Sequence, residues 1–218
     1  MPYFDLIASF PALPPHFDVT RPPITRLQLE DRLKMLSQED ATTLKQLTVF
    51  LAWDRQPLDQ TDQEVIARFR QLKRNIQHRV IWDIVEHRMD MRTMISALRR
   101  RMAGEGPPQG VGDLVNPIRR HWKDSYFCLE HRYPWIEPFV ENLKSGEALA
   151  AERILYETIW KFRHRMASQF TFSFEAVILY LARWTIIDRW TSRDAEIGKA
   201  RFDQLVEEAL GDYVNISF

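Results

Sequence analysis

Hydrophobic residues recur every three or four positions along most of this chain, which is the spacing of a buried stripe on an α-helix. The longest stripe runs through Val65, Phe69, Leu72, Ile76, Val80, Ile84, Leu98 and Met102. Two successive steps of four residues shift the stripe between Ile76 and Ile84, so we predict a bend or break there. No window alternates β-branched and polar residues between turn signals. The pattern therefore predicts an all-α fold, built as a multi-helix bundle.

Three pairs of residues mark predicted helix starts. In a capping box, a Ser or Thr side chain and the residue three positions later satisfy each other's backbone amides. The pairs are Thr25 with Gln28, Thr61 with Glu64 and, with Asp in the return position, Ser37 with Asp40. Further along, the segment from Phe174 to Trp190 is apolar almost all round, which predicts a helix at the buried centre of the bundle. A last amphipathic helix is predicted from Phe202 to Leu210.

Proline and glycine predict the division of the chain. Five prolines lie between positions 11 and 23, and four of the seven glycines lie between 104 and 112. We predict an extended segment over 1–24, an N-terminal helical unit with a long basic helix over 25–103, a Gly/Pro linker over 104–116 and a C-terminal helical unit over 117–218. The stretch Trp82–Met89 is also similar to Trp160–Met166, with one gap. Either a duplicated helical unit or chance similarity between Arg-rich helices explains it.

Charge is balanced overall and uneven locally. The 218 residues include 30 Lys and Arg and 30 Asp and Glu, which argues against a role in binding nucleic acid through excess cationic charge. Residues 64–103 contain 10 basic and 4 acidic residues, a net charge of +6, whereas 1–63 and 137–218 each carry −3. This basic segment is either a solvated helix face that pairs with the acidic flanks or a surface for an acidic partner.

The sequence contains none of the short motifs that indicate catalysis or cofactor binding. A P-loop, a dinucleotide fingerprint, a nucleophile elbow and an H-E-x-x-H pair are all absent. We interpret the six histidines as polar-face residues and Cys128, in an aromatic setting, as a small buried hydrophobe. We therefore predict no enzyme, no cofactor, no metal ligand and no small-molecule ligand. The single cysteine and the absence of a basic leader favour a cytoplasmic location.

Two stretches resemble proteins of rotary ATPases. Residues 90–104 resemble a helix of the C subunit of V/A-type ATPases, called d in the eukaryotic enzymes. The matching positions are Asp90, Leu98, Arg99 and Gly104, with Arg101 at a Lys position and Thr93 where the family prefers Asn. Residues 174–184, with 188–190 and Gly198, resemble an uncharacterised bacterial family encoded beside V-type ATPase genes, as do residues 6–13.

The resemblance implies a function without catalysis. The C subunit is an all-helical socket between the rotor shaft and the membrane ring, built from similar helical units. We therefore expect a structural or assembly subunit that contacts other ATPase subunits through Asp90, Thr93, Arg99 and Arg101, and that is peripheral to the inner membrane only through the complex. The alternative is a helical adaptor or regulatory protein unrelated to ATPases, and an enzyme of unrecognised type is a third hypothesis.

Overall fold

A computed structural model describes residues 3–51, 61–76 and 78–192, and all regular structure in these ranges is helical. The all-α prediction is thus confirmed. The elements are α1 (Phe4–Ser9), α2 (Arg26–Leu33), α3 (Gln38–Leu51), α4 (Asp62–Asn75), α5 (Arg79–Met102), α6 (Val115–Arg120), a 3₁₀ turn (Ser125–Cys128), α7 (Ile136–Lys144), α8 (Ala148–Ala167) and α9 (174–192). The helix predicted from Phe202 to Leu210, and Gly198, lie outside the described residues.

The predicted break in the longest stripe is confirmed. Helix α4 ends at Asn75, and Ile76 has an extended backbone with φ −119° and ψ 121°. The indole Nε1 of Trp82 donates to the Ile76 carbonyl at 2.9 Å, so the first turn of α5 satisfies an acceptor that the break exposes. Ile76 before the break and Val80 after it are both buried in the core.

The N-terminal segment departs from the prediction at its start. Residues 4–9 form α1, although an extended backbone is predicted over 1–24. The reason is tertiary: Leu6 is buried, and the Tyr3 hydroxyl bonds to Ser37 and Asp40 at the start of α3. These contacts stabilise a six-residue helix that would not form alone in water.

Aromatic side chains fasten the proline-rich segment that follows α1. Its carbonyls accept three hydrogen bonds from α8 and α9: Trp160 to Pro15 at 3.0 Å, Tyr180 to Pro11 at 2.9 Å and Trp184 to Ile24 at 2.9 Å. Proline has no amide proton, so such a segment depends on its carbonyls for hydrogen bonding. The segment is therefore held against both α8 and α9 by these hydrogen bonds.

Two of the predicted capping boxes are complete. Thr25 accepts from the Gln28 amide and Thr61 from the Glu64 amide, and each return bond is present. In the third, the Asp40 amide donates to Ser37, but the Asp40 carboxylate bonds to the Tyr3 hydroxyl instead of returning to Ser37. Two capping boxes therefore form as the sequence predicts, and in the third a tertiary hydrogen bond to Tyr3 replaces the return bond.

Thr25→Ala should lower the free energy of unfolding by about 1 kcal/mol, because the Gln28 amide loses its acceptor at the start of α2. Thr25→Ser keeps the hydroxyl and should stay close to wild type. Urea unfolding of the two variants measures the difference. Equal destabilisation of both would assign the effect to the lost methyl group rather than to the cap.

The core of the described residues consists of two clusters, and α5, α8 and α9 contribute to both. The first half of α5, with Ile81 and Ile84, packs with α1 to α4, the end of α8 and the start of α9. The second half, with Met94 and Leu98, packs with α6, α7, α8 and the end of α9. The clusters thus do not follow the predicted division at 104–116, because the three long helices α5, α8 and α9 contribute to both. Neither α9 nor any other helix in the described ranges is long and apolar enough to cross a membrane.

Candidate functional site

The four residues predicted to bind a partner lie on α5, and the structure gives them different environments. Asp90 and Thr93 face the loop that follows α5, and Arg99 is exposed. Arg101 contacts the backbone of residues 123 and 124, just before the 3₁₀ turn. Only Arg99 presents its side chain to solvent without a hydrogen bond or ion pair to another described residue. The other three hold the segments that surround the end of α5.

Asp90 organises the loop that leads into α6. Its Oδ1 accepts a hydrogen bond of 3.1 Å from the amide of Leu114, the residue that caps α6. Gly112 passes directly beside this oxygen with φ +116°, and a Cβ there would lie 2.2 Å from Oδ1. Burial raises the pKa of Asp90 to about 6, against the opposing effect of the Leu114 and Asp113 amides. The Asp90 side chain therefore positions this loop through its hydrogen bond to Leu114, while burial disfavours its ionised form.

Thr93 supports the same loop one turn further along α5. It is only 5% exposed, and a Cβ at Gly110 would lie 2.8 Å from its hydroxyl oxygen. Residues 110–114 of the predicted linker thus pack closely on α5, and Pro108 before them is also buried. Asp90 and Thr93 are in the middle of this packing, where they contribute little surface to a partner.

The three consecutive arginines at the end of α5 lie in three different environments. Arg100 donates to the Gly106 carbonyl at 2.8 Å and pairs with Glu105. Arg101 donates to the carbonyls of Lys123, at 3.1 Å, and Asp124. Arg99 is exposed, and Met102, three residues later on the same side of the helix, is 49% exposed. The exposed end of α5 therefore combines a cation with an apolar side chain.

Gly104, the closing glycine of the resemblance, follows the end of α5 with a left-handed backbone. Its φ is +72°, and the amides of Gly104 and Glu105 donate to the carbonyls of Arg101 and Arg100. This is a Schellman motif, which favours glycine because a side chain is strained at positive φ. The closing glycine of the motif thus has a structural role.

The turn after α6 has an unusual backbone. Three consecutive residues without glycine, Tyr126, Phe127 and Cys128, have φ values of 43°, 60° and 56°. Left-handed backbone costs roughly 1–2 kcal/mol for each L-residue, so other contacts must stabilise it. Phe127 supplies them: it is fully buried, stacks on Trp122 at 5.3 Å and lies under the Arg101 guanidinium at 5.5 Å.

The left-handed turn also overturns the prediction for Cys128. The aromatic setting predicts a buried thiol, but Cys128 is exposed, because Phe127 occupies the core position instead. Desolvation and then the negative charges of Asp124 and Glu130 raise the pKa of the thiol. No sequence pattern indicates this exposure, because it depends on the left-handed backbone of Tyr126, Phe127 and Cys128.

Cys128 lies near two other groups that can bind metal ions. The ligand atoms of His121, Asp124 and Cys128 are all within 4.8 Å of one another, and His121 Nδ1 is 2.8 Å from Asp124 Oδ2. The sequence predicts no metal ligands, because none of the histidine pairs has the spacing of a helical metal site. The signal that could have found this group is the spacing H-x2-D-x3-C.

A cluster of cationic side chains lies where α5 crosses α8 and α9. The His87 ring stacks on Phe162, with ring centroids 3.8 Å apart and planes 4° from parallel. Burial, with the charges of Arg163 and Arg88, lowers the pKa of His87 to about 4, and burial lowers the pKa of Arg163 to about 9. The interpretation of all histidines as polar-face residues is wrong for His87. The crossing also brings together the two similar stretches around Trp82 and Trp160.

Comparison of the chain with family models, curated proteins and solved structures found no match.

Proposed function

We propose that this chain is a non-catalytic structural or assembly subunit of a V/A-type rotary ATPase, which acts through protein–protein contacts on the cytoplasmic side of the membrane. The observation that carries the proposal is the resemblance of residues 90–104 to the C subunit. The partners would be the rotor shaft or the membrane ring, and any association with the membrane would be indirect.

The end of α5 supports this proposal physically. Arg99 and Met102 are exposed on one side of the helix, and Arg and Met are residue types enriched in protein interfaces. The guanidinium is suited to a carboxylate of an acidic helical partner, since it can form two parallel hydrogen bonds. Asp90, Thr93 and Arg101 would act indirectly, because they hold the loop and the turn beside this surface.

Charge reversal at Arg99 is the sharpest test. Arg99→Glu should weaken assembly with the ATPase subunits by roughly tenfold or more, because a like charge facing an acidic surface is unfavourable. Arg101→Glu is a poorer test, since Arg101 also holds the carbonyls of residues 123 and 124. Co-purification and a titration of the purified complex measure the effect.

Arg70→Glu is the matched control. Arg70 is an exposed arginine on α4, so its reversal changes the net charge equally while leaving the end of α5 intact. Equal loss with both variants would indicate a general charge effect. Wild-type assembly of Arg99→Glu would remove the end of α5 as the contact, and a purified chain that binds no ATPase subunit would contradict the proposal as a whole. Recovery of one different partner would favour the helical adaptor.

A further inference from the structure

We propose that His121, Asp124 and Cys128 form a binding site for one Zn²⁺ ion or a divalent ion of similar ligand preference. His121 follows the last residue of α6, Asp124 precedes the 3₁₀ turn, and Cys128 is the last residue of that turn. Their ligand atoms are already within 4.8 Å of one another. The proposal stands on this geometry and is independent of the ATPase proposal.

The distances fit a site that closes by side-chain rotation. Ligand atoms around a tetrahedral zinc ion at 2.0–2.3 Å are about 3.3–3.8 Å apart, so a small further approach is needed. Asp124 and Cys128 are exposed and His121 is half-buried, which leaves the side chains room to rotate. The existing bond between His121 and Asp124 would be exchanged for two bonds to the metal.

The donor set selects the class of ion. An imidazole nitrogen, a carboxylate oxygen and a thiolate sulfur match Zn²⁺ and Co²⁺, whereas Mg²⁺ and Ca²⁺ prefer oxygen ligands alone. Three protein ligands leave a fourth position for water or for a group from a partner. Glu130 adds negative charge near the thiol, and its Oε2 is buried with no hydrogen-bond partner in the described part of the chain. The negative charges of Asp124 and Glu130 beside the thiol favour a cation at this position.

The surrounding structure holds the three ligands in place. Arg101 bonds to the carbonyls of Lys123 and Asp124, so the backbone beside one ligand is fixed to α5. Buried Phe127 fixes the turn and directs the neighbouring Cys128 outward. Outer contacts of this kind orient metal ligands and are a large part of a site's affinity. A bound ion would join the end of α6 to the turn.

Cobalt absorption of the full-length protein is the direct test. The reduced protein is freed of metal with a chelator and titrated with Co²⁺, then with Zn²⁺ by calorimetry. Because Cys128 is the only cysteine in the sequence, a sulfur-to-cobalt charge-transfer band reports on that thiolate alone. We expect such a band, its loss on addition of Zn²⁺, and one ion per chain.

Variants separate the ligands from the rest of the surface. Cys128→Ser should abolish the charge-transfer band. His121→Gln should weaken Zn²⁺ binding by roughly 100-fold or more, because loss of even an outer partner of a metal ligand typically weakens binding about 10- to 100-fold. His16→Gln removes an exposed histidine elsewhere and should bind like wild type. Circular dichroism of the apo variants checks the fold. No band with the wild-type chain, equal affinity in Cys128→Ser, or one ion per two chains would overturn the proposal.

Discussion

Gly112→Ala should lower the free energy of unfolding by about 3 kcal/mol, because a methyl group at this position meets both backbone strain and a carboxylate. The φ of +116° is rarely adopted by residues with a side chain, and the new Cβ would lie 2.2 Å from Asp90 Oδ1. The carboxylate can move away only by losing its hydrogen bond to the Leu114 amide. Urea unfolding measures the change.

Two controls separate the clash from the backbone strain. A Cβ at Gly106 has no atom within 4 Å, so Gly106→Ala should change stability by no more than about 0.5 kcal/mol. In an Asp90→Ala background, Gly112→Ala should cost only the backbone strain, roughly 1–2 kcal/mol. The same cost in both backgrounds would contradict a direct contact between residues 90 and 112.

His87 should make the protein sensitive to acid. Its pKa is about 4 in the folded state, against an ordinary histidine value of 6.5, so between these values the unfolded chain binds a proton that the native chain does not. The stability due to neutral His87 is therefore complete above pH 6.5 and lost as the pH falls towards 4. The gap of about 2.5 between the two pKa values corresponds to about 3 kcal/mol.

The measurement compares wild type with His87→Phe, which keeps a ring on Phe162 but cannot titrate. The difference in unfolding free energy between the two should fall by about 3 kcal/mol from about pH 7 to about pH 4, in favour of the variant. Parallel pH curves for the two proteins would contradict a neutral His87 packed on Phe162.

Asp90 has the opposite effect on the pH dependence of the unfolding free energy over the same pH range. Its pKa is raised to about 6, so its contribution is fully present below the ordinary pKa of 3.8 and is lost as the pH rises through 6. The contributions of His87 and Asp90 to the pH dependence of the wild-type stability therefore partly cancel. Asp90→Asn should expose the acid sensitivity of His87. For the same reason, the measurement uses the difference between wild type and His87→Phe rather than the wild-type curve alone.

Much of the fold follows from sequence patterns that relate residues three or four positions apart. The stripe of apolar positions predicts the helices, and the Thr25 and Thr61 motifs predict two helix starts. The double step of four predicts a bend or break between Ile76 and Ile84, and the structure places it at Ile76. Each of these depends on backbone hydrogen bonds and side chains one turn apart, which the sequence contains completely. The same patterns do not predict α1, because Tyr3 and Leu6 are stabilised by residues on distant elements.

The candidate sites follow from the sequence only in part. The sequence predicts Arg99 as a contact residue, and the structure leaves it exposed. Asp90, Thr93 and Arg101 lie on the same helix but contact the loop and the turn that follow α5. The difference arises because the loop and the turn after α5 fold back on it. Their paths depend on packing that no short motif records.

The sequence by itself determines the all-α class, the helix starts at Thr25 and Thr61 and the close of α5 at Gly104, since these follow from local hydrogen bonding. The tertiary structure alone decides that His87 is neutral against Phe162 and that Cys128 is exposed near His121 and Asp124. The physical reason is that a side chain's solvation and charge environment depend on residues far away in the chain. The handedness of the turn at Cys128 likewise depends on burying Phe127 beneath Arg101.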